Sequence, residues 1–243
     1  MNSLNKSFGK IKVTPKLKTS LVQDVFSSVA KKYDLMNDVM SFGAHRMWKK
    51  ELIELLNLQK KEYIIDIGSG TGDLVKLILK KKLQNNIYSV DLNPSMLEQG
   101  KKRFKNQKVK FIQANAESLP FKDNKFDKYI ISFCLRNITN PNKALKEAFR
   151  VIKPGGIFFC LEFSSPESNL INSIYKNYKK NIIPWLGKKI TENEKAYKYL
   201  EESIDIFPNQ KKLIDMMNKN GFSETKYINL FNGIVSIHKA FKI

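Results

Sequence analysis

The chain reads as an α/β protein, a mostly parallel sheet with helices on both faces. Three observations carry that expectation. Short apolar runs alternate with longer amphipathic ones, so that strands are separated by single helices. The stretch DIGSGTGDL, residues 66 to 74, sets Gly68, Gly70 and Gly72 between an apolar run and a helix-like run, a density of glycine that signals close approach to the backbone. An aspartate, Asp91, closes the next apolar run, 19 positions beyond Gly72.

Residues 1–19 are basic and precede the first acid, Asp24, and they are expected to form a flexible arm without the apolar stretch of a signal peptide. Ser20 and Gln23 stand at capping-box spacing, and Leu21, Val25, Val29 and Tyr33 share a face, so a helix is expected over 20–33. A second is expected over 44–56. EYIIDIG (62–68) is a short apolar run ending on glycine, hence a buried strand; 73–83 is a helix and 86–92 the next strand. Asn93 caps and Pro94 opens a helix over 93–104. Strands are expected over 108–115, 126–135 and 155–163. The last two flank a helix over 140–152 with the same Asn-Pro opening.

At 243 residues and 42% hydrophobic, the chain can bury a substantial core. No apolar run approaches the roughly 18 to 20 residues of a membrane span. Cys134 and Cys160 each fall in an apolar run, as buried reduced thiols of a cytosolic protein do. The net charge of +20 invites three readings: RNA binding, attraction to anionic lipid headgroups, or drift on solvated faces. Only four of the 43 basic residues are arginine, and lysine and asparagine are abundant throughout, as an AT-rich coding sequence gives.

The glycine loop lies between strand and helix, where nucleotides bind, and Asp91 is placed to accept hydrogen bonds from two ribose hydroxyls. The spacing is GxGxG rather than GxGxxG, and Asp73 stands at the start of the following helix, where its carboxylate repels phosphate. A nucleoside with no phosphate and a positive centre fits better. S-adenosylmethionine is such a ligand, its sulfonium and amino group lying near Asp66 and the loop glycines Gly68 and Gly70. Asn115 and Ala116, after the third strand, are placed to meet the adenine edge; the plain alternative is an asparagine capping its own turn.

Six segments occur in order: VFSSVAKKYDLMNDVMSFGAHRMWK, DIGSGTGDL, NAESLPFKDNKFD, SFCLRNITN, RVIKPGGIFFCLEFSSP and YKYLEESIDIFPNQ. Together they resemble the ubiquinone/menaquinone biosynthesis C-methyltransferase family, from about residue 20 to the C-terminus. The resemblance implies a Rossmann-like class I methyltransferase fold with seven strands. It divides the chain into a helical cap over 20–58, a cofactor-binding core over 59–165, a substrate-capping insertion over 166–205 and the end of the sheet over 206–243. It implies that Thr71, Asp91, Asn115, Ala116 and Ser132 contact S-adenosylmethionine, with no metal. The implied reaction moves a methyl group to a ring carbon of a prenylated quinol, benzoquinol or naphthoquinol, in a cytoplasmic protein that visits the inner membrane. A homo-oligomer or a quinone-biosynthesis complex is the protein partner implied, and nucleic acid is not a partner. The chain departs from the family at Cys134, where a glycine is usual, and at Ala240. Two other functions stay open: an RNA methyltransferase, and a non-catalytic S-adenosylmethionine-binding subunit.

Arg136 is the first candidate on the substrate side, just past the fourth strand, to hold a quinol oxygen; the alternative is a structural pair with Asp127 or Glu162. Asn137 has a similar claim. His45 is either a base or an organiser of the N-terminal helices, and Tyr33 and Tyr197 are candidate pocket walls. The segment 169–189 mixes Ile, Tyr and Trp185 with lysines, which suits either an interfacial surface or a helix packed on the core.

Overall fold

A computed structural model describes residues 4–182, 185 and 194–243. At its centre is a seven-stranded sheet built from β3 (Tyr63–Ile67), β4 (Asn86–Asp91), β5 (Val109–Gln113), β6 (Phe126–Ser132), β7 (Ile152–Phe163), β8 (Ser223–Leu230) and β9 (Val235–Phe241). The order across the sheet is β5-β4-β3-β6-β7-β9-β8. The first five of these strands in chain order run parallel, and β9 pairs antiparallel with both β7 and β8. All five parallel strands fall where the sequence places them. β3 is read as buried because its run is apolar without alternation, and Ile64, Ile65 and Ile67 are indeed fully enclosed between helix layers.

The chain moves outward from β3 through β4 to β5, then returns to β6 on the other side of β3. The strand order therefore reverses between β3 and β6, and a crevice opens outside their carboxyl ends. Helices α4 (Asp73–Lys80), α5 (Pro94–Arg103) and α6 (Pro141–Val151) cover the parallel strands. The Asn-Pro openings act as expected: Asn93 Oδ1 accepts from Met96 N and Asn140 Oδ1 from Lys143 N, each at 3.1 Å.

The N-terminal region corrects two expectations. Residues 4–19 are not a free arm. Leu4–Lys6 form a 3-10 turn, β1 (Ser7–Phe8) pairs with β2 (Ile11–Lys12), and α1 spans Pro15–Val29, so the helix starts five residues before Ser20. Thr14 caps it, Oγ1 accepting from Leu17 N at 3.3 Å, and Pro15 takes the first helical position. This cap wins because it is fastened from outside: Lys18 is buried and donates to the carbonyls of Leu4 (2.8 Å) and Ile138 (2.9 Å). Phe8 stacks on Tyr199 at 4.3 Å between centroids. The expected single helix over 20–33 also breaks, through a 3-10 turn at Ala30–Lys32, into α1 and α2 (Tyr33–Ser41). α3 (Ala44–Leu55) follows, after an αL turn in which Phe42 (φ 47°) and Gly43 (φ 75°) end one helix and start the next. Beyond β7 come α7 (Asn169–Asn177), a π turn at Tyr178–Ile182, α8 (Glu194–Ile206) and α9 (Gln210–Lys219). The part of the expected interfacial segment at 183, 184 and 186–189 lies outside the described residues. No helix among the described residues is long and apolar enough to cross a membrane.

Candidate active site

Two cavities meet above the carboxyl ends of β3 and β6. The first, about 760 Å3 with its mouth, is lined by Gly68 and Gly70, by Asp91 to Asn93 after β4, by Asn115 and Ala116 after β5, and by Gln23 and Phe26 of α1. The second, about 1710 Å3 with its mouth, is walled mainly by apolar side chains of α2, α3, α7 and α8, together with Phe163 and Phe231. Tyr33 and Phe133 line both. Phe133 takes φ 52°, a left-handed backbone held by its N–H to the Leu161 carbonyl at 2.7 Å, so the turn out of β6 carries strain at the seam of the two cavities.

The glycine loop is tied to the strand beside it. Asp91 accepts from Gly70 N through Oδ2 and from Asn93 N through Oδ1, both at 2.8 Å. Gly68 has φ 62°, and a Cβ there would collide with Cys134, so the cysteine side chain occupies the space above the loop. Burial pushes the Cys134 thiol well up, which keeps it neutral.

A small polar recess beside the loop collects Lys49, Asp66, Gly68, Gly70, Thr71, Asp73 and Ser132. Asp66 Oδ2 and Ser132 Oγ are buried there without a partner. Burial pushes the Asp66 carboxyl up to about 8, against the opposing pull of Lys49. Burial also raises Asp73, but Lys49 (2.7 Å) and Arg103 (3.1 Å) outweigh it, so Asp73 lies below the usual carboxylate range. Thr71 Oγ1 donates to Asp34 of α2 at 2.7 Å and Arg103 reaches the same carboxylate, which fastens the helical cap onto the loop.

Not every expected residue is free for a ligand. Asn115 Oδ1 accepts from Glu117 N at 2.9 Å, the turn-capping role, although the residue still lines the first cavity. Arg136 lines the second cavity and is buried; its Nη1 donates to Glu162 Oε1 (2.7 Å) and to the Phe133 carbonyl (2.8 Å), while its Nε has no partner. Of the two structural partners considered for it, Glu162 is the real one. Asp127 instead holds Lys153 and the Tyr63 N–H. Asn137 is spent on Tyr199 Oη and the Phe133 carbonyl. Trp48 and Tyr175 also line the second cavity, and their Nε1 and Oη lack partners. The sequence reading missed both, as well as Phe133 and Gln23; an aromatic directly after the serine that closes β6 was the one available signal.

A model of the ubiE/COQ5 methyltransferase family matches residues 14–242. The chain belongs to that family. It is 50% identical over 252 aligned residues to the ubiquinone/menaquinone biosynthesis C-methyltransferase UbiE of Rickettsia bellii (strain OSU 85-389), covering all of both chains. With the protein of that name from Rickettsia prowazekii (strain Madrid E) it shares 48%, over 98% of this chain and 99% of that one. Its fold resembles a S-adenosylmethionine-dependent methyltransferase of Thermotoga maritima, described as a possible histamine N-methyltransferase (TM-score 0.64, 23% identity, 90% of this chain and 99% of that one). It also resembles Haemonchus contortus phosphoethanolamine N-methyltransferase 2 crystallised with S-adenosylhomocysteine (TM-score 0.57, 15% identity, 76% of this chain and 49% of that one).

This member of the family is accordingly a methyltransferase, and its methyl donor is S-adenosylmethionine. The residues present fit that donor. A buried carboxyl and a buried hydroxyl wait without partners beside the glycine loop, and a carboxylate rather than a phosphate-binding group opens α4.

Proposed function

We propose that the chain transfers a methyl group to a ring carbon of a prenylated quinol. The observation that carries this reading is the large apolar cavity that meets the cofactor cleft at Tyr33 and Phe133, wide enough for a ring and a length of polyprenyl chain. The names of the Rickettsia relatives favour the same acceptor class.

When bound, S-adenosylmethionine supplies an electrophilic methyl group on a sulfonium. Asp91 accepts from the ribose hydroxyls, and Ala116 with the amide nitrogen of Asn115 meets the adenine. Asp66, Gly68, Gly70, Thr71 and Ser132 surround the amino-acid end, where Asp66 meets the ammonium. Arg136 donates its spare N–H to a quinol oxygen and stabilises the negative charge that builds there. Tyr33 and Phe133 exclude water from the seam, and the cavity walls hold the ring carbon in line, which supplies much of the rate.

The apolar cavity opens through a rim that includes Phe42 (78% exposed) and Ile174 (62%), beside the turn at 178–182, where Lys180 is exposed and Lys179 is buried against Asp205. This rim rests on the surface of an anionic membrane and takes the quinol from it.

Methyl transfer from labelled S-adenosylmethionine to a reduced quinol, the matching oxidised quinone and total RNA in separate reactions tests the reading. Label in the quinol alone is the expected result, because only the reduced ring is nucleophilic. Label in RNA, or none in any quinol, overturns it.

A further inference from the structure

Four buried polar atoms without a protein partner sit on side chains that line the apolar cavity: Arg136 Nε, Trp48 Nε1, Tyr175 Oη and His45 Nδ1. The first two can only donate, and burial pushes the Tyr175 phenol well up, so it keeps its proton. His45 differs. Its Nε2 lies 2.8 Å from Asp38 Oδ1, and the same carboxylate accepts from Arg46 Nε and Nη2, each at 2.6 Å. Arg46 and His45 together hold Asp38 well below the usual carboxylate range, so it is ionised and can only accept. Nε2 must therefore carry the imidazole hydrogen, which leaves the lone pair on Nδ1.

We propose that His45 is the general base of this site, its Nδ1 taking the proton of the quinol hydroxyl next to the reacting carbon while Asp38 orients the ring. The inference rests on the quinol reading above. The O–H bond breaks and an N–H bond forms; the electron pair stays on oxygen and passes into the ring, which makes the adjacent carbon nucleophilic. Asp38 balances the imidazolium, and Arg136, Trp48 and Tyr175 supply donors to the ring oxygens. Once the alkylated ring loses its carbon-bound proton to solvent and regains aromaticity, the imidazolium returns its own proton to the oxygen. One proton is released per turnover.

The surroundings suit the task. Burial lowers His45 and Lys49 lowers it further, while Asp38 and Asp73 pull the other way; the net effect is downward, so the ring is neutral at pH 7. These groups, with Arg46 on the far side of Asp38, are the charges facing it from α2, α3 and α4. The rate in the wild type should therefore rise with pH and level off before neutrality.

The test compares wild type, His45→Gln and His45→Asn on a parent quinol and on fluorinated quinols whose hydroxyls are more acidic. S-adenosylhomocysteine binding and thermal melting serve as readouts of folding. Loss of a general base costs on the order of 100-fold or more. That loss is expected on the parent quinol and should shrink to about tenfold or less as the hydroxyl acidifies, with cofactor affinity unchanged and the acidic limb of the pH profile gone. An equal loss on every quinol, or a loss that tracks weakened cofactor binding, overturns the base assignment and leaves the acceptor reading intact. If the wild type methylates none of the quinols, the acceptor reading and this inference fall together.

Discussion

Asp66 and Arg136 show what burial does to single charges at this site, and each makes a prediction. The folded protein keeps a proton on Asp66 between about pH 4, where the unfolded chain loses it, and about pH 8. Folding thus takes up a proton in that window, and the ligand-free protein should lose stability as pH rises through it. An ammonium placed beside Asp66 favours the carboxylate and expels the proton, so affinity for S-adenosylhomocysteine should climb with pH by up to about tenfold per unit below pH 8. Calorimetry should show proton release on binding, and Asp66→Asn should flatten the profile; a wild-type affinity independent of pH would contradict the assignment. Arg136→Met alone leaves Glu162 buried and unpaired, at a cost of about 3–5 kcal/mol. Adding Glu162→Gln should recover most of that stability in a thermal melt. Turnover should stay about 100-fold or more down in both variants, with cofactor affinity unchanged.

Between elements, the contact that matters most is α1 against the start of α5. Asn93 does two jobs there: Oδ1 caps α5, while Nδ2 donates to the Gln23 carbonyl (3.0 Å) and to Ser27 Oγ (2.9 Å) of α1. Asn93→Ala should cost about 1–2 kcal/mol for the cap alone. It should also weaken S-adenosylhomocysteine binding and speed proteolysis within residues 4–29. Unchanged affinity would mean that α1 does not help to close the cleft. Much of this layer was legible in the sequence. The β3 to β7 strands and the two Asn-Pro helices announce themselves through local chemistry, apolar runs in one case and caps in the other. The joint at Ala30–Lys32 does not, because no glycine or proline marks it and the helical period runs straight through. What bends the chain there is distant: Thr71 and Arg103 hold Asp34 at the start of α2. The site was legible to the same degree. Asp91 and the loop glycines follow from strand, turn and helix, and Glu162 was one of two partners offered for Arg136; the Asp38–His45 pair was not read, because it depends on the αL turn at Phe42 and Gly43 that folds α3 back on α2.

For the whole molecule, a charge of +20 and an exposed apolar rim make a joint prediction. Phe42→Ser with Ile174→Ser should lower binding to vesicles containing anionic lipid by about tenfold or more, since each removes roughly 1.5–3 kcal/mol of available burial. S-adenosylhomocysteine affinity should not move. Vesicle sedimentation at two salt concentrations checks both parts, because the lysine contribution weakens with salt and the apolar one does not. Equal binding by the variant and the wild type would remove the membrane from the account. The two cavities, which meet at Tyr33 and Phe133, have a kinetic consequence. A donor seated in the first cavity and an acceptor seated in the second should not have to wait for one another. Spent donor can leave past α1 while the acceptor's tail is still seated, and binding should be random in order. S-adenosylhomocysteine should compete with the donor and leave the quinol's apparent affinity almost untouched.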